Sequence, residues 1–403
     1  RKGKVRQRLW KIRAKKVIIA SGSIERPLIF SNNDRPGIIL SSSIKKYIDY
    51  YGVITGENIS LFTNNDSAYE TAISLYKSGV KVNVIVDIRK NSDSLIVKKV
   101  LELGLKVLWE STVVDTQGYK RIKSFEVMKL SDDGNNVVGD RSKYNCDCLG
   151  ISGGWTPMVH LFTQSGGKLK FRNDDNAFIP DENKTPSNQI SVGSCNGEFK
   201  LNEIVVNTIE NLKSFLSLSN TCFDGIKIIC PDEKSKRNIW LLPSDKPIGK
   251  TKPFLDFQND STAKDVKLAL REGFKSIEHV KRYTTTGMGT DQGKTSNVNA
   301  LALMSHINNK PVDEIGHTTF RPPYAPQTIG AIAGRSVDKL FDPERKTSMH
   351  EWHVENKAVF EDVGQWKRPY YFPQNKEDIH QAVKRECLAV RNSLGILDAS
   401  TLG

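Results

Sequence analysis

The residues best suited to chemistry lie in one stretch, RYTTTGMGTDQGKTS, with Lys281 just before it. Lys281, Arg282, Thr284, Thr285, Thr286, Gly287, Gly289, Gln292, Gly293, Lys294 and Thr295 concentrate cations, hydroxyls and glycines over sixteen positions, 281–296. Such a set suits a phosphate or a flavin edge, with cations against charge and backbone amides free to donate. The alternative is a glycine-rich turn with a purely structural task. Elsewhere little invites catalysis. His350 and His353 stand at i, i+3, a spacing open to metal or acid–base use, but no H-E-x-x-H surrounds them. There is no G-x-S-x-G, no P-loop and no paired-carboxylate constellation, so no catalytic residue and no metal ligand is assigned. Six cysteines are present, of which only Cys146 and Cys148 are close. A zinc or cluster site would need a second near pair. On a strand of period two, Cys146 and Cys148 would face one side of a sheet, as ordinary reduced thiols of a cytoplasmic protein.

The elements that would position a cofactor come earlier in the chain. Lys15–Ala20 is an apolar strand leading into SGSIERP. The turn resembles the A-T-G-x-x-x-R-P turn of flavoproteins with two dinucleotide-binding domains, with Ser21 in place of Thr. In that resemblance Ala20, Ser21 and Gly22 lie under the cofactor, and Gly22 lets backbone approach the ligand. Ile190–Phe199, ISVGSCNGEF, resembles the last signature of the same proteins. A helix from about Leu201 to Leu216 follows, and its start favours a phosphate. Gly193, Ser194, Cys195, Gly197, Phe199 and Leu201 are therefore expected to form a second wall of one dinucleotide site. The third wall, a glycine-rich turn, is expected upstream of Arg1, the chain being read as an internal fragment of a longer polypeptide. Between the walls, Ile59–Ile88 reads as a β-α-β unit of Rossmann spacing. Its turn, TNNDSA, puts Thr63 and Asn65 where glycines belong, so this unit is expected to be structural, with Asp87 at the surface. Glu110–Val138 reads as antiparallel strands with a turn at Asp132–Asn135. In LGISGGWTP, Gly153 and Gly154 imply a tight approach on the return to the first nucleotide domain.

A chain of 403 residues suits two or three domains. No run approaches the ~20 apolar residues of a membrane span. The net charge is +13, but basic residues are scattered after Arg1–Lys16 and are not interleaved with aromatics, which argues against nucleic acid. The opening RKGKVRQRLWKIRAKK is expected to form two edge strands. Residues 220–251 read as a linker with one or two short strands. Helices are expected at Thr262–Glu272, Ile277–Tyr283, Asn297–Asn308 and Glu377–Leu397, and Asp398–Gly403 should begin a buried strand.

Between Asp256 and Ser296 the sequence resembles the small helical domain that, in many amine and opine dehydrogenases, holds a [2Fe–2S] cluster. Laid on that pattern, the cysteine positions are Asp256, Gln258, Asp291 and Ser296, none of them a thiol. That loss, with RPPYAPQTIGAIAGR and MHEWHVENKAVFEDVGQWKRPYYFP, makes the chain resemble the α subunit of heterotetrameric sarcosine oxidase from about Arg8 to Gly403. The resemblance implies an α/β fold of the two-dinucleotide-binding-domain flavoprotein type, Rossmann-like with its first domain incomplete. It divides the chain into a nucleotide-binding region over 1–219 (second half 55–150, return 151–219), the linker 220–251, a cluster-less helical domain 252–310 and a connector 311–348. The start of an α+β aminomethyltransferase-like folate domain follows over 349–403, in which the His350–His353 segment packs structurally. It further implies oxidation of sarcosine, NAD (or FAD) in the dinucleotide site, and β, γ and δ subunits as partners. FMN would lie at the junction with β, against Lys281–Thr295, and tetrahydrofolate in the C-terminal domain. An α subunit of a related amine, opine or proline dehydrogenase and a non-catalytic scaffold remain the rivals.

Overall fold

The computed structural model describes residues 7–218 and 237–401. The start of the basic opening, the part of the linker carrying Cys222, Cys230 and Pro231, and Leu402 and Gly403 lie outside the described residues. The chain divides into two units, Ala14–Pro326 and the segments before and after it. No helix among the described residues is long and apolar enough to cross a membrane.

In the larger unit, β1 (Val17–Ile19) and β2 (Ser23–Glu25) flank the first turn, and β3 (Ile38–Leu40) leads into α1 (Ser41–Tyr51). Then come β4 (Asn58–Thr63), α2 (Ser67–Lys77), β5 (Lys81–Asp87), α3 (Leu95–Glu102) and β6 (Val107–Leu108). A meander of β7 (Ser111–Gly118), β8 (Ile122–Leu130) and β9 (Val137–Asn145) precedes β10 (Cys148–Ser152). The strands β3-β10-β4-β5-β6 form one sheet, parallel throughout. Parallel sheets are buried on both faces, and this one is. Leu61 and Ile85 pack with Ile44, Tyr69, Leu75 and Val97 of the helices. Phe62, Val84 and Val86, one residue out of phase, pack with Val113, Phe125 and Val127 of the meander. The two neighbouring cysteines fall on opposite sides of this sheet. Cys146 packs on the meander side and Cys148 on the helix side. β9 ends at Asn145 and β10 starts at Cys148, so a single two-residue period does not run through both, contrary to expectation.

Asp87 also differs from its expected place. It is fully buried, because Arg89 folds back on it with Nη2 2.8 Å from Asp87 Oδ2 and Nη1 2.7 Å from Asp66 Oδ1. The Tyr69 hydroxyl donates to Asp87 at 2.8 Å. Burial pushes the Asp87 carboxyl up, and the hydrogen bonds and charge of Arg89 oppose it. In the turn itself, Thr63 Oγ1 donates to Asn65 O and Asn65 Nδ2 donates to Ser152 Oγ at 3.0 Å. The place where a glycine turn would cradle a pyrophosphate is filled by the domain's own side chains.

After β10 run β11 (Trp155–Pro157), α4 (His160–Gln164), β12 (Leu169–Arg172), β13 (Ala177–Pro180), β14 (Gln189–Ser191) and α5 (Leu201–Leu216). Gly153 shows why two glycines are needed here: a Cβ on it would stand 2.8 Å from Pro27 O. Residues 237–251 hold no strand, only a single helical turn at Ile248–Lys250, yet they are pinned, with Leu242 N donating to Ile29 O at 2.9 Å.

The helical part follows, with β15 (Phe254–Asp256), β16 (Ser261–Thr262), α6 (Ala263–Arg271), α7 (Ile277–Thr284), α8 (Asn297–Asn308) and α9 (Val312–Ile315). Thr262 and Asp265 make the capping box that starts α6. Leu255, Val266, Ala269, Val280, Leu301 and Met304 make its core.

The smaller unit contains α10 (Ile329–Ala333), β17 (Arg345–Lys346), α11 (His350–Glu355), β18 (Val359–Val363), β19 (Trp366–Tyr371) and α12 (Ile379–Asn392). The strands order as β17-β19-β18. α12 is shorter than its apolar pattern, because Asp378 caps its start and Ser393 leaves helical geometry at its end. Residues 7–13 form no strand and are exposed. Residues 398–401 form a turn rather than a strand: the Asp398 carboxylate accepts from Ser400 N at 3.0 Å, which bends the chain, and from Thr347 Oγ1. His353 Nε2 lies 3.0 Å from Asp398 Oδ2, so this histidine is held by a carboxylate within the fold.

Candidate functional site

The two predicted walls of a dinucleotide site lie side by side. β1 and β14 pair in parallel, Val17 to Gln189 and Ile19 to Ser191, so the turns leaving their carboxyl ends are neighbours. Gly22 and Gly193 both have positive φ, 77° and 73°, where a side chain is strained. A Cβ on Gly22 would meet only Ser194 Oγ, at 3.9 Å, and one on Gly193 only Ile204, at 3.6 Å. Neither glycine is crowded, but Gly193 is buried and its N–H donates to Glu198 Oε2 at 3.1 Å, so of the two turns the half-buried one at Gly22 is the more accessible. α5 begins just beyond, and its N-cap Lys200 makes no side-chain cap, which leaves first-turn amides for an anion. The paired turns and the helix start are the geometry a dinucleotide site uses, with Glu198 and Glu203 as carboxylates beside it.

Not every predicted residue faces that space. Ala20 and Leu201 are exposed, and Ser194 and Phe199 are half-buried. Cys195 is buried with Sγ 3.3 Å from Ile19 O, turned into the strands. Gly197 makes room for Ile179, whose Cγ2 would stand 2.6 Å from a Cβ. Ser21 Oγ donates to Met158 O at 2.6 Å, and Met158 N donates to Gly22 O at 2.9 Å. The first turn is thus tied to the segment before α4.

The second candidate stretch is knitted from within. Gly287 N donates to Asp256 Oδ2 at 2.6 Å and Gly293 N to Asp291 Oδ1 at 3.0 Å. Those amides are not free, contrary to expectation. A Cβ on Gly287 or Gly293 would stand 2.2 or 2.0 Å from Asn297 Oδ1, so these glycines accommodate Asn297. The cluster-ligand positions serve the same loop: Asp256 Oδ1 accepts from Gln258 N, and Gln258 Oε1 from Thr290 Oγ1. Thr284 Oγ1 donates to Val280 O, and Thr285 Oγ1 to Thr284 O. Arg282 stands 3.7 Å from Glu278 on the exposed face of α7, and Lys281 and Thr295 are half-buried. Gln292 clasps the 321–323 segment, donating to Arg321 O at 2.7 Å and accepting from Arg321 N at 2.8 Å.

Sequence reasoning missed one group. Tyr324 stacks on His160, with ring centroids 3.7 Å apart and planes at 8°. Lys294 Nζ lies over the same Tyr324 ring, 4.3 Å from its centroid. Tyr324 Oη donates to Met158 Sδ at 3.5 Å. Burial first, and then the charge of Lys294, hold His160 below its usual range. Its Nδ1 is buried without a partner.

With no thiol at Asp256, Gln258, Asp291 or Ser296, this domain is expected to take up no iron–sulfur cluster. Anaerobic treatment with iron and sulfide should leave no bound acid-labile sulfide, and a stoichiometric amount there would overturn the expectation.

Residues 250–335 match the sarcosine oxidase A3 domain, and residues 349–403 match the GCVT N-terminal domain. The chain is 39% identical to the sarcosine oxidase subunit alpha of Corynebacterium sp. (strain P-1), covering 100% of this chain and 42% of that one. It is 35% identical to the sarcosine oxidase subunit alpha of Rhizobium meliloti (strain 1021), covering 98% and 39%. Among solved structures it shares the fold of L-proline dehydrogenase from P. horikoshii, at 19% identity and a TM-score of 0.54, over 79% of this chain and 59% of that one. The chain spans 42% of the length of the first of these relatives, and along all of its own length it is a homologue of the α subunits of sarcosine oxidase.

Proposed function

We propose that the chain is part of the α subunit of a sarcosine oxidase, an oxidoreductase acting on a CH–NH bond with oxygen as acceptor. The observation that carries this reading is 39% identity over 100% of the chain to a protein of that name. One sarcosine, one oxygen and one tetrahydrofolate give one glycine, one hydrogen peroxide and one 5,10-methylenetetrahydrofolate, and atoms balance. A bound flavin supplies the hydride acceptor that side chains cannot. In this reading Ala20, Ser21, Gly22 and Gly193 bind a dinucleotide, assigned as NAD, and the start of α5 meets its phosphates. The parallel pairing of β1 and β14, which sets the Gly22 and Gly193 turns side by side, supports that assignment. Lys281 and Lys294 face an FMN carried by a β subunit, offering positive charge where a reduced flavin gains negative charge. The domain opening at residue 349 contributes to a tetrahydrofolate site, and γ and δ subunits complete the assembly.

The test is made on the intact complex carrying this chain. Sarcosine with oxygen should give equimolar glycine and hydrogen peroxide, and added tetrahydrofolate should capture the methyl carbon. Turnover of proline or an opine with no turnover of sarcosine would replace this reading by the dehydrogenase rival. The chain free of partners should make no peroxide from sarcosine, because it has no catalytic side-chain set of its own.

A further inference from the structure

The stack of Lys294, Tyr324 and His160 joins two regions that are distant in sequence. His160 lies 3.7 Å from the Tyr324 centroid and Lys294 Nζ 4.3 Å from it. Two groups cannot share one ring face at those distances, so the ring is sandwiched, with imidazole on one face and ammonium on the other. The ammonium gains from the ring quadrupole, and the imidazole gains from parallel stacking. Tyr324 itself is fixed from three further sides, one of them Phe320, edge-to-face with ring centroids 5.1 Å apart. Its hydroxyl donates to Met158 Sδ, and Gln292 clasps Arg321 and Pro323 just before it. Met158 is in turn bonded to Ser21 and Gly22. A lysine side chain carries about 2 kcal/mol of rotamer entropy when free, so a ring that holds it determines where its charge resides.

We propose that Tyr324 is a positioning residue: it holds the Lys294 ammonium in one place and fastens the 287–296 loop to the turn at Ser21–Gly22. The role of Lys294 toward a partner's flavin rests on the function proposed above, whereas the holding of Lys294 by Tyr324 does not. The ring is the working part. Phenylalanine keeps the sandwich and loses only the contact with Met158, and leucine removes the sandwich.

Two measurements test this, the first on the full-length α subunit before it meets its partners and the second on the intact complex. The first is the rate of acylation of Lys294 by a small activated ester, read by peptide mass spectrometry. Tyr324→Leu is expected to speed labelling about fivefold, the size of a lost cation–π contact, and Tyr324→Phe to leave it near wild type. An unchanged rate in Tyr324→Leu, or equal acceleration in both variants, overturns the proposal. The second is the rate of the flavin half-reactions. Lys294→Gln and Tyr324→Leu are expected to slow the same half-reaction, and the double variant to be no slower than Lys294→Gln alone, the non-additivity of residues that act as a unit. Multiplicative slowing overturns the proposal. Protection of Lys294 by the ring, with no flavin effect from Lys294→Gln, supports the positioning and overturns the flavin role alone.

Discussion

Replacement of Arg89 by leucine is expected to destabilise the parallel-sheet domain by about 3–5 kcal/mol, the cost of breaking a buried ion pair from one side. Arg89 has no exposed side-chain surface, and its partners Asp66 and Asp87 retain 12% and 0%. Leucine would leave two carboxylates facing each other without a cation. Chemical denaturation read by the fluorescence of Trp109, which stacks with Tyr69 in the same region, would measure the loss. A further change of Asp87 to leucine and Asp66 to alanine is expected to recover most of the stability, since well-packed apolar groups replace buried ions at little cost. If Arg89→Leu alone is neutral, the ion cluster has no structural weight.

The second large effect concerns the cofactor. Gly193→Val in the intact complex is expected to weaken dinucleotide retention on the order of 100-fold, corresponding to about 3 kcal/mol. Part of that is backbone strain at φ 73°, about 1–2 kcal/mol for a residue with a Cβ. The remainder is the bulk set against Ile204, whose Cγ2 lies 3.6 Å from a Cβ at this position, which pushes the turn out of place. Gly52 separates the two contributions. It has φ 64° and nothing within 4 Å of a Cβ, so Gly52→Val carries comparable strain away from the site and should leave the dinucleotide in place. Asn65, buried and bonded to Ser152, is no such control, because changing it disturbs the fold. Equal cofactor loss from Gly193→Val and Gly52→Val would remove the assignment of the Gly22–Gly193 site.

Local signals were legible in the sequence and long-range ones were not. The helix at Leu201–Leu216 and the capping box at Thr262 follow from periodicity and capping chemistry within a few residues. The two glycine turns could be proposed as one site because a known pattern joins them, and β1–β14 pairing brings them together. The burial of Asp87 is not legible in the sequence, because its depth depends on Arg89 turning back across a strand end, which no periodicity encodes. Tyr324 and Met158 are 166 residues apart, and nothing in either neighbourhood points to the other. The opposite facing of Cys146 and Cys148 is not legible because the break between β9 and β10 falls at Cys146–Asp147, inside a C-x-C pattern that also suits one continuous strand.

The ion cluster at Arg89 also changes how this domain responds to its surroundings. A nucleotide-binding fold normally draws stability from ligand occupancy, so its melting rises with ligand concentration. Here the cation that bridges the turn and the strand tip is covalently part of the chain. It cannot be diluted away, and, being buried, it is poorly screened by salt. At this turn the internal cation is always present at full strength, so the contribution of the Asp66–Arg89–Asp87 cluster to the resistance of the domain to unfolding is expected to be the same whether dinucleotides are abundant or scarce.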